Sequence, residues 1–189
     1  MSLGVLPILS VVVIFAVRMV ELGTKRNTIA GKIRENLTLR LFLLAGFLML
    51  GGGITEYLLE NRPISWPMFV LGWAIGLTSF AIRRSAIAAL GRFWSLHVEI
   101  RENHELVQEG PFRFVRHPAY SSMVMELAAV GVILQAWIAL GAIALVFIPA
   151  LAMRVNLEEN ALVEKFGDAY RRYQKTTPAL IPYRIPQSK

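Results

Sequence analysis

Four stretches of this sequence are too long and too apolar to be solvated loops: Leu3–Val20, Leu37–Leu59, Ser65–Ile82 and Ser121–Met153. A helix needs about 20 predominantly apolar residues to cross the hydrocarbon core of a bilayer. In that medium only helices or closed barrels satisfy their own backbone polar groups. The last stretch is long for one span and short for two. Gln135-Ala136-Trp137 lies near its middle, and an interfacial Gln and Trp suit a tight turn. The stretch therefore divides into a helical hairpin, Tyr120–Leu134 and Trp137–Met153, with Pro149 a candidate kink in the second arm. The reading is an all-α integral membrane protein of five transmembrane helices, the last two a hairpin. Composition agrees, since charged residues make up 17% of the chain against about 25% in soluble domains. The N-terminus shows no small-residue cleavage site, so the first run reads as a retained helix.

The basic residues give the orientation. Residues 25–40 carry five of them, 83–116 six and 154–189 seven, which together are eighteen of the chain's 20 Lys and Arg. Five helices put these three regions on one side. By the positive-inside rule that side is the cytoplasm, with the N-terminus outside. Arg18, near the end of the first helix, is expected to snorkel to the interface, and Arg62 alone faces the other way. The host membrane would be the plasma membrane in a prokaryote or the endoplasmic reticulum in a eukaryote. The net charge of +7 then reads as contact with anionic lipid, not nucleic acid, for which no motif is present. The chain has no cysteine. This excludes disulfides, thiolate nucleophiles and thiolate metal ligands.

One polar segment interrupts this pattern: NHELVQEGPFRFVRHPAY, Asn103 to Tyr120. It holds His104 and His117, the turn signal Gly110-Pro111, and Pro118, which suits the first turn of the helix that follows. Before it, Ala86–His97 is mildly amphipathic and is expected to lie along the interface, and His97–Ile100 alternates like a short extended piece. After the hairpin, Arg154–Lys175 has a helical pattern, and a cytoplasmic helix, or two joined at Gly167, is expected to run out of the last spanning helix. The division of the chain is therefore three N-terminal helices, residues 1–82, and a chemistry-bearing half, residues 83–189.

Most of the conspicuous residues have an ordinary reading. Gly51-Gly52-Gly53 and the Gly72/Gly76 pair sit inside apolar runs, where glycine permits close helix packing. His97, His104 and His117 lack the spacing of a metal site, and no metal is expected. Arg154 and Glu158 are i, i+4 on one helix. They are either an ordinary ion pair or an arginine that holds an anionic substrate and is positioned by its carboxylate. Glu126 lies inside the apolar zone, where carboxylates are rare and face a cavity or a partner, which makes it a candidate substrate-side residue. Glu56, nearer a helix end, is expected to reach water.

The polar segment, with R-x-x-x-E-E at Arg154–Glu159 and F-G-x-x-Y-x-x-Y at Phe166–Tyr173, resembles the isoprenylcysteine carboxyl methyltransferase family over about the last half of the chain. The resemblance implies an integral membrane enzyme that uses S-adenosylmethionine without a Rossmann domain. It implies that His104, Leu106, Val107, Gly110, Arg116, His117, Pro118 and Tyr120 line the cofactor pocket, with Glu159 closing it. Arg154 and Glu158 would sit where acceptor meets methyl group. The connector and the C-terminal helix would form the pocket on the cytoplasmic side, and a lipophilic acceptor, such as an isoprenylcysteine carboxylate, would enter from the bilayer. Ser121-Ser122-Met123-Val124-Met125-Glu126 departs from the family's usual small and aromatic residues. This leaves a phospholipid or other small lipophilic acceptor open. Membrane sterol reductases, which use NADPH, share an RHPxY-like hairpin, and a non-enzymatic membrane subunit is the remaining alternative.

Overall fold

The structure is a computed structural model, and it describes residues 4–24, 32–33, 37–95, 99–100 and 105–183. His97 and His104 lie outside the described residues. Six α-helices account for most of the described residues: α1 Val5–Gly23, α2 Leu37–Leu59, α3 Trp66–Leu90, α4 Pro118–Leu134, α5 Trp137–Phe166 and α6 Asp168–Thr176. A two-residue antiparallel pair, Lys32–Ile33 with Glu99–Ile100, joins the α1–α2 and α3–α4 connectors. Helices α1, α2, α3 and α5 are long and apolar enough to cross a membrane, and α4 is a shorter apolar helix of 17 residues. The protein is a multi-pass membrane protein.

The hairpin forms at the expected turn. Helix α4 ends where Gln135 takes a left-handed conformation (φ 53°), and α5 starts at Trp137. The turn is bonded to the α2–α3 turn by Arg62, which donates to the Gln135 carbonyl (2.6 Å), and by Gln135 Nε2 to the Pro63 carbonyl (3.3 Å). Glu56 does not reach water. It is buried and accepts the Ile138 and Ala139 amides (3.2 and 2.8 Å) at the start of α5, where unpaired N–H groups and the helix dipole favour a carboxylate.

Two helices outrun their apolar segments. Helix α3 does not stop at Ile82 but continues to Leu90, so Ala86–Leu90 is its last turn and not a separate surface helix. Nothing breaks the helix before Gly91, whose φ of +48° suits glycine. Ala86 is fully buried, and a 3-10 turn over Gly91–Phe93 leads to a buried Trp94. Helix α5 likewise runs through Arg154 as one 30-residue helix to Phe166. That is about 45 Å at 1.5 Å per residue, well beyond a hydrocarbon core of about 30 Å. Gly167 (φ +54°) then turns the chain into α6.

Small residues set the closest helix contact. A Cβ placed on Gly72 of α3 would come within 2.4 Å of Ile133 Cγ1 and 3.0 Å of the Ile133 amide nitrogen in α4. Gly76 sits one turn on, against Ala129. The core runs from Val11 and Ile14 through Phe42, Met49, Ile133 and Leu134 to Phe147 and Leu151. At the end of the bundle away from the Arg62–Gln135 turns, the polar connector and the C-terminal residues meet.

Candidate functional site

Backbone pairing builds this end. The amides of Arg116 and His117 donate to the carbonyls of Pro178 and Ala179 (both 2.9 Å). Ser121 Oγ donates to the Leu180 carbonyl (2.7 Å), so the irregular tail is strapped across the mouth of α4. Tyr173 of α6 donates to the Phe112 carbonyl (2.5 Å). Burial above all pushes the hydroxyls of Tyr170 and Tyr173 above the usual tyrosine range, with Glu159 acting the same way on both and Arg116 opposing. The Tyr170 hydroxyl is buried without a hydrogen-bond partner among the described residues.

Glu159 is the hub. Arg116 reaches one of its oxygens through Nε (2.8 Å) and NH2 (2.6 Å), and His117 Nε2 lies 3.0 Å from the same oxygen. Gln174 Nε2 donates to the other (2.8 Å). Arg116 also donates to the Gln174 carbonyl (3.1 Å) and to the Thr177 carbonyl. A carboxylate bonded to this many donors is held as an anion.

Beside this hub a second chain runs through Tyr120. Its hydroxyl donates to Glu158 Oε2 and accepts from Arg154 Nε (2.9 Å). Arg154 is 2% exposed, lies over the rings of Phe42 and Tyr120, and donates to Thr38 of α2 (2.9 Å). Tyr120 stacks on His117, the ring centroids 5.5 Å apart. Arg154 and Glu158 are thus neither a solvated surface pair nor isolated groups, because the Tyr120 hydroxyl bridges them.

A cavity of about 580 Å³ opens onto these groups. Of the residues expected at the site, Arg116, His117, Pro118, Tyr120, Arg154 and Glu158 line it. Glu159 stands behind Arg116 and His117. Leu106 and Val107 are half-buried and Gly110 is exposed with φ +58°, and none of the three is part of the lining. Sequence reasoning missed Thr38, Leu39 and Phe42 of α2, and Trp94 and Phe112, because nothing in their local pattern differs from ordinary core. No group of three His, Asp or Glu side chains among the described residues could hold a metal ion.

A second, apolar cavity of about 710 Å³ lies among α1, α2 and α4 and shares Leu22, Leu39, Phe42, Arg83 and Met123 with the first. Arg18 and Glu126 line it. Arg18 does not snorkel outward: it is 7% exposed and bonds Glu126 through Nε (3.0 and 2.8 Å) and NH2. It also bonds Glu21 (3.1 Å), which in turn accepts from Arg83 (2.6 Å). The reason is a buried carboxylate within reach, a stronger partner than the headgroup region.

Membrane-length helices with a charged pocket at one end and an apolar cavity beside it define a multi-pass membrane protein. The comparisons agree on the family. Residues 72–164 match the isoprenylcysteine carboxyl methyltransferase (ICMT) family. Protein-S-isoprenylcysteine O-methyltransferase B of Arabidopsis thaliana is 32% identical over 139 residues, 69% of this chain and 70% of that protein. The uncharacterized protein YpbQ of Bacillus subtilis is 29% identical over 112 residues, 59% and 66% of the two chains. Methanethiol S-methyltransferase of Crocosphaera subtropica is 28% identical over 137 residues, 69% and 52%. The matches thus span from about half to about two thirds of these relatives' length. The chain belongs to the isoprenylcysteine carboxyl methyltransferase family.

Proposed function

We propose that this protein is a membrane methyltransferase that uses S-adenosylmethionine and acts on a lipophilic acceptor, foremost the carboxylate of an isoprenylcysteine-like compound. In this reading all five of α1–α5 cross the bilayer, the C-terminus is cytoplasmic, and the acceptor reaches the site from the membrane. The observation that carries it is the Arg154–Tyr120–Glu158 chain, which lines the polar cavity, whose wall at Leu22, Leu39, Phe42, Arg83 and Met123 is shared with the apolar one.

The lining fits the cofactor. Trp94, Phe112, His117 and Tyr120 supply aromatic faces, and Glu158, a third exposed, supplies an anion. Aromatic faces and a carboxylate suit a sulfonium cation. The buried Tyr170 hydroxyl is a donor left over within the electrostatic reach of Glu158 and Glu159. Arg116, His117, Pro118 and Tyr120 would hold the cofactor, Glu159 would fix the two basic side chains, and His104, Leu106, Val107 and Gly110 would complete the enclosure. Bound there, S-adenosylmethionine supplies an already activated methyl group.

The residues of the chain then have three tasks. Arg154 orients the acceptor carboxylate, and Tyr120 keeps the guanidinium from swinging onto Glu158. A carboxylate is ionised at neutral pH, with an ordinary pKa near 4, so no base is required. Phe42 and the aromatic lining exclude water, and alignment of two ligands in a dry site is worth several kcal/mol.

The sulfur acceptor in the name of the Crocosphaera subtropica relative favours a second reading. A thiol has an ordinary pKa near 8.5 and would lose its proton to solvent before the thiolate attacks. The pH profile separates the two: kcat/KM is flat above about pH 5 for a carboxylate and rises toward about pH 8 for a thiol.

Calorimetry of detergent-purified protein with S-adenosylhomocysteine tests the reading as a whole. Binding at micromolar ligand is expected, and no heat at millimolar ligand refutes it. With labelled S-adenosylmethionine and an S-prenylcysteine acid, Arg154→Ala is expected to lower kcat/KM by about 100-fold, the loss of a charge-assisted contact of ~3 kcal/mol.

A further inference from the structure

The apolar cavity contains something a hydrocarbon chain does not use. Its wall carries Arg18, Arg83 and Glu126 among apolar residues such as Phe15, Met19, Leu50 and Val130. Glu126 is six residues past Tyr120 on α4, which places it roughly 9 Å deeper along the helix at 1.5 Å per residue. The cavity shares Leu22, Leu39, Phe42, Arg83 and Met123 with the polar one, so a chain that is anchored at Tyr120 and Arg154 and extends into it would pass this pair.

The pair is electrically balanced but not saturated. Arg18, Glu21, Arg83 and Glu126 form a group of two cations and two anions spanning α1, α3 and α4. A guanidinium has five N–H donors. Nε and NH2 of Arg18 go to Glu126 and one NH1 hydrogen goes to Glu21. Two donors remain without a protein partner among the described residues. Buried donors are normally satisfied, and an occupant that strips them of water without replacing it pays for each. A brace between helices would need the ion pairs but not the position in a cavity wall.

We propose that the apolar cavity selects an acceptor whose chain carries a second oxygen, a hydroxyl, ether or carbonyl, roughly 9 Å from the methylated atom, which accepts the free Arg18 donors while Glu126 holds the guanidinium in place. This rests on the methyl-transfer reading above. It makes Arg18 and Glu126 specificity-determining residues and sets the preferred substrate apart from a plain prenyl or alkyl chain.

The test uses the full chain in detergent and a series of S-alkylthioacetic acids of equal length. One member has an unbroken hydrocarbon chain, and the others have an ether oxygen at successive positions. Labelled methyl incorporation gives KM and kcat, and displacement of a dansylated fatty acid reads chain binding without any transfer. The expected result is a KM at least 5-fold lower for the ether analogue of matching depth, with kcat little changed and the same order in displacement. In Arg18→Leu/Glu126→Leu, which keeps Glu21 and Arg83 paired, the preference is expected to vanish or reverse, with retained S-adenosylhomocysteine binding as the control for folding. Equal KM and displacement across the series in the unaltered protein overturn the inference, and so does a preference that survives in the folded double variant. If that variant does not fold, the position-dependence in the unaltered protein decides. Selective displacement with no methyl incorporated into any analogue would instead support the chain site and count against the transfer reading.

Discussion

At the scale of single residues, one part of the site keeps two opposite charges apart with a neutral group. Arg154 and Glu158 lie one helical turn from each other on α5, and the ordinary outcome is a direct pair. The Tyr120 hydroxyl intervenes, accepting from one and donating to the other. Tyr120→Phe therefore removes two charge-assisted hydrogen bonds, each worth ~1.5–3 kcal/mol. A fall of 10- to 100-fold in kcat/KM for the labelled-methyl assay is expected, with S-adenosylhomocysteine binding weakened far less, because the Arg116–His117–Glu159 hub is untouched. His117, Arg154 and Glu158 were singled out in the sequence by the motifs that carry them, the polar segment and R-x-x-x-E-E. Thr38 and Phe42 were not, since their local pattern matches the rest of α2. Arg18 and Glu56 were misread for one reason: each has a partner more than 80 positions away in the chain.

At the scale of elements, apolar length located the helices but not their ends. Helix α2 spans Leu37–Leu59 as its hydropathy indicates, whereas α3 and α5 continue past the apolar run. The cause is the same in both: the first charged residue beyond the run, Arg83 or Arg154, is satisfied inside the fold and so does not end the helix. Glycine in the apolar runs was read as a packing residue, and Gly72 meets that description most closely. Gly72→Ala is expected to destabilise the protein by ~1–3 kcal/mol through overpacking against Ile133. Gly141→Ala, with open space around its Cβ, should leave the melting temperature unchanged or slightly higher. Thermal melts of the two variants in one detergent make the comparison.

For the whole molecule the decisive matter is how many helices cross. Helix α4 has 17 residues, at the lower end of what spans a bilayer. Three helices separate the Arg62 turn from α6, so five spans put Arg62 and Arg172 on opposite sides. The chain has no cysteine, and single cysteines at these two positions can be labelled without background in inside-out and right-side-out vesicles. Opposite accessibility is expected. The same side for both would mean that α4 does not cross, and would move the C-terminal half of the site to the other face.

The sequence by itself determined the medium, the helical class, the turn at Gln135–Trp137 and the family, because apolar length and short motifs are local properties that survive without a fold. Only the tertiary structure decided which charges are partners, how far α3 runs, and that α2 forms a wall of the site. Those outcomes depend on groups distant in the chain sharing a low-dielectric interior, where a charge takes whichever partner the packing brings within reach.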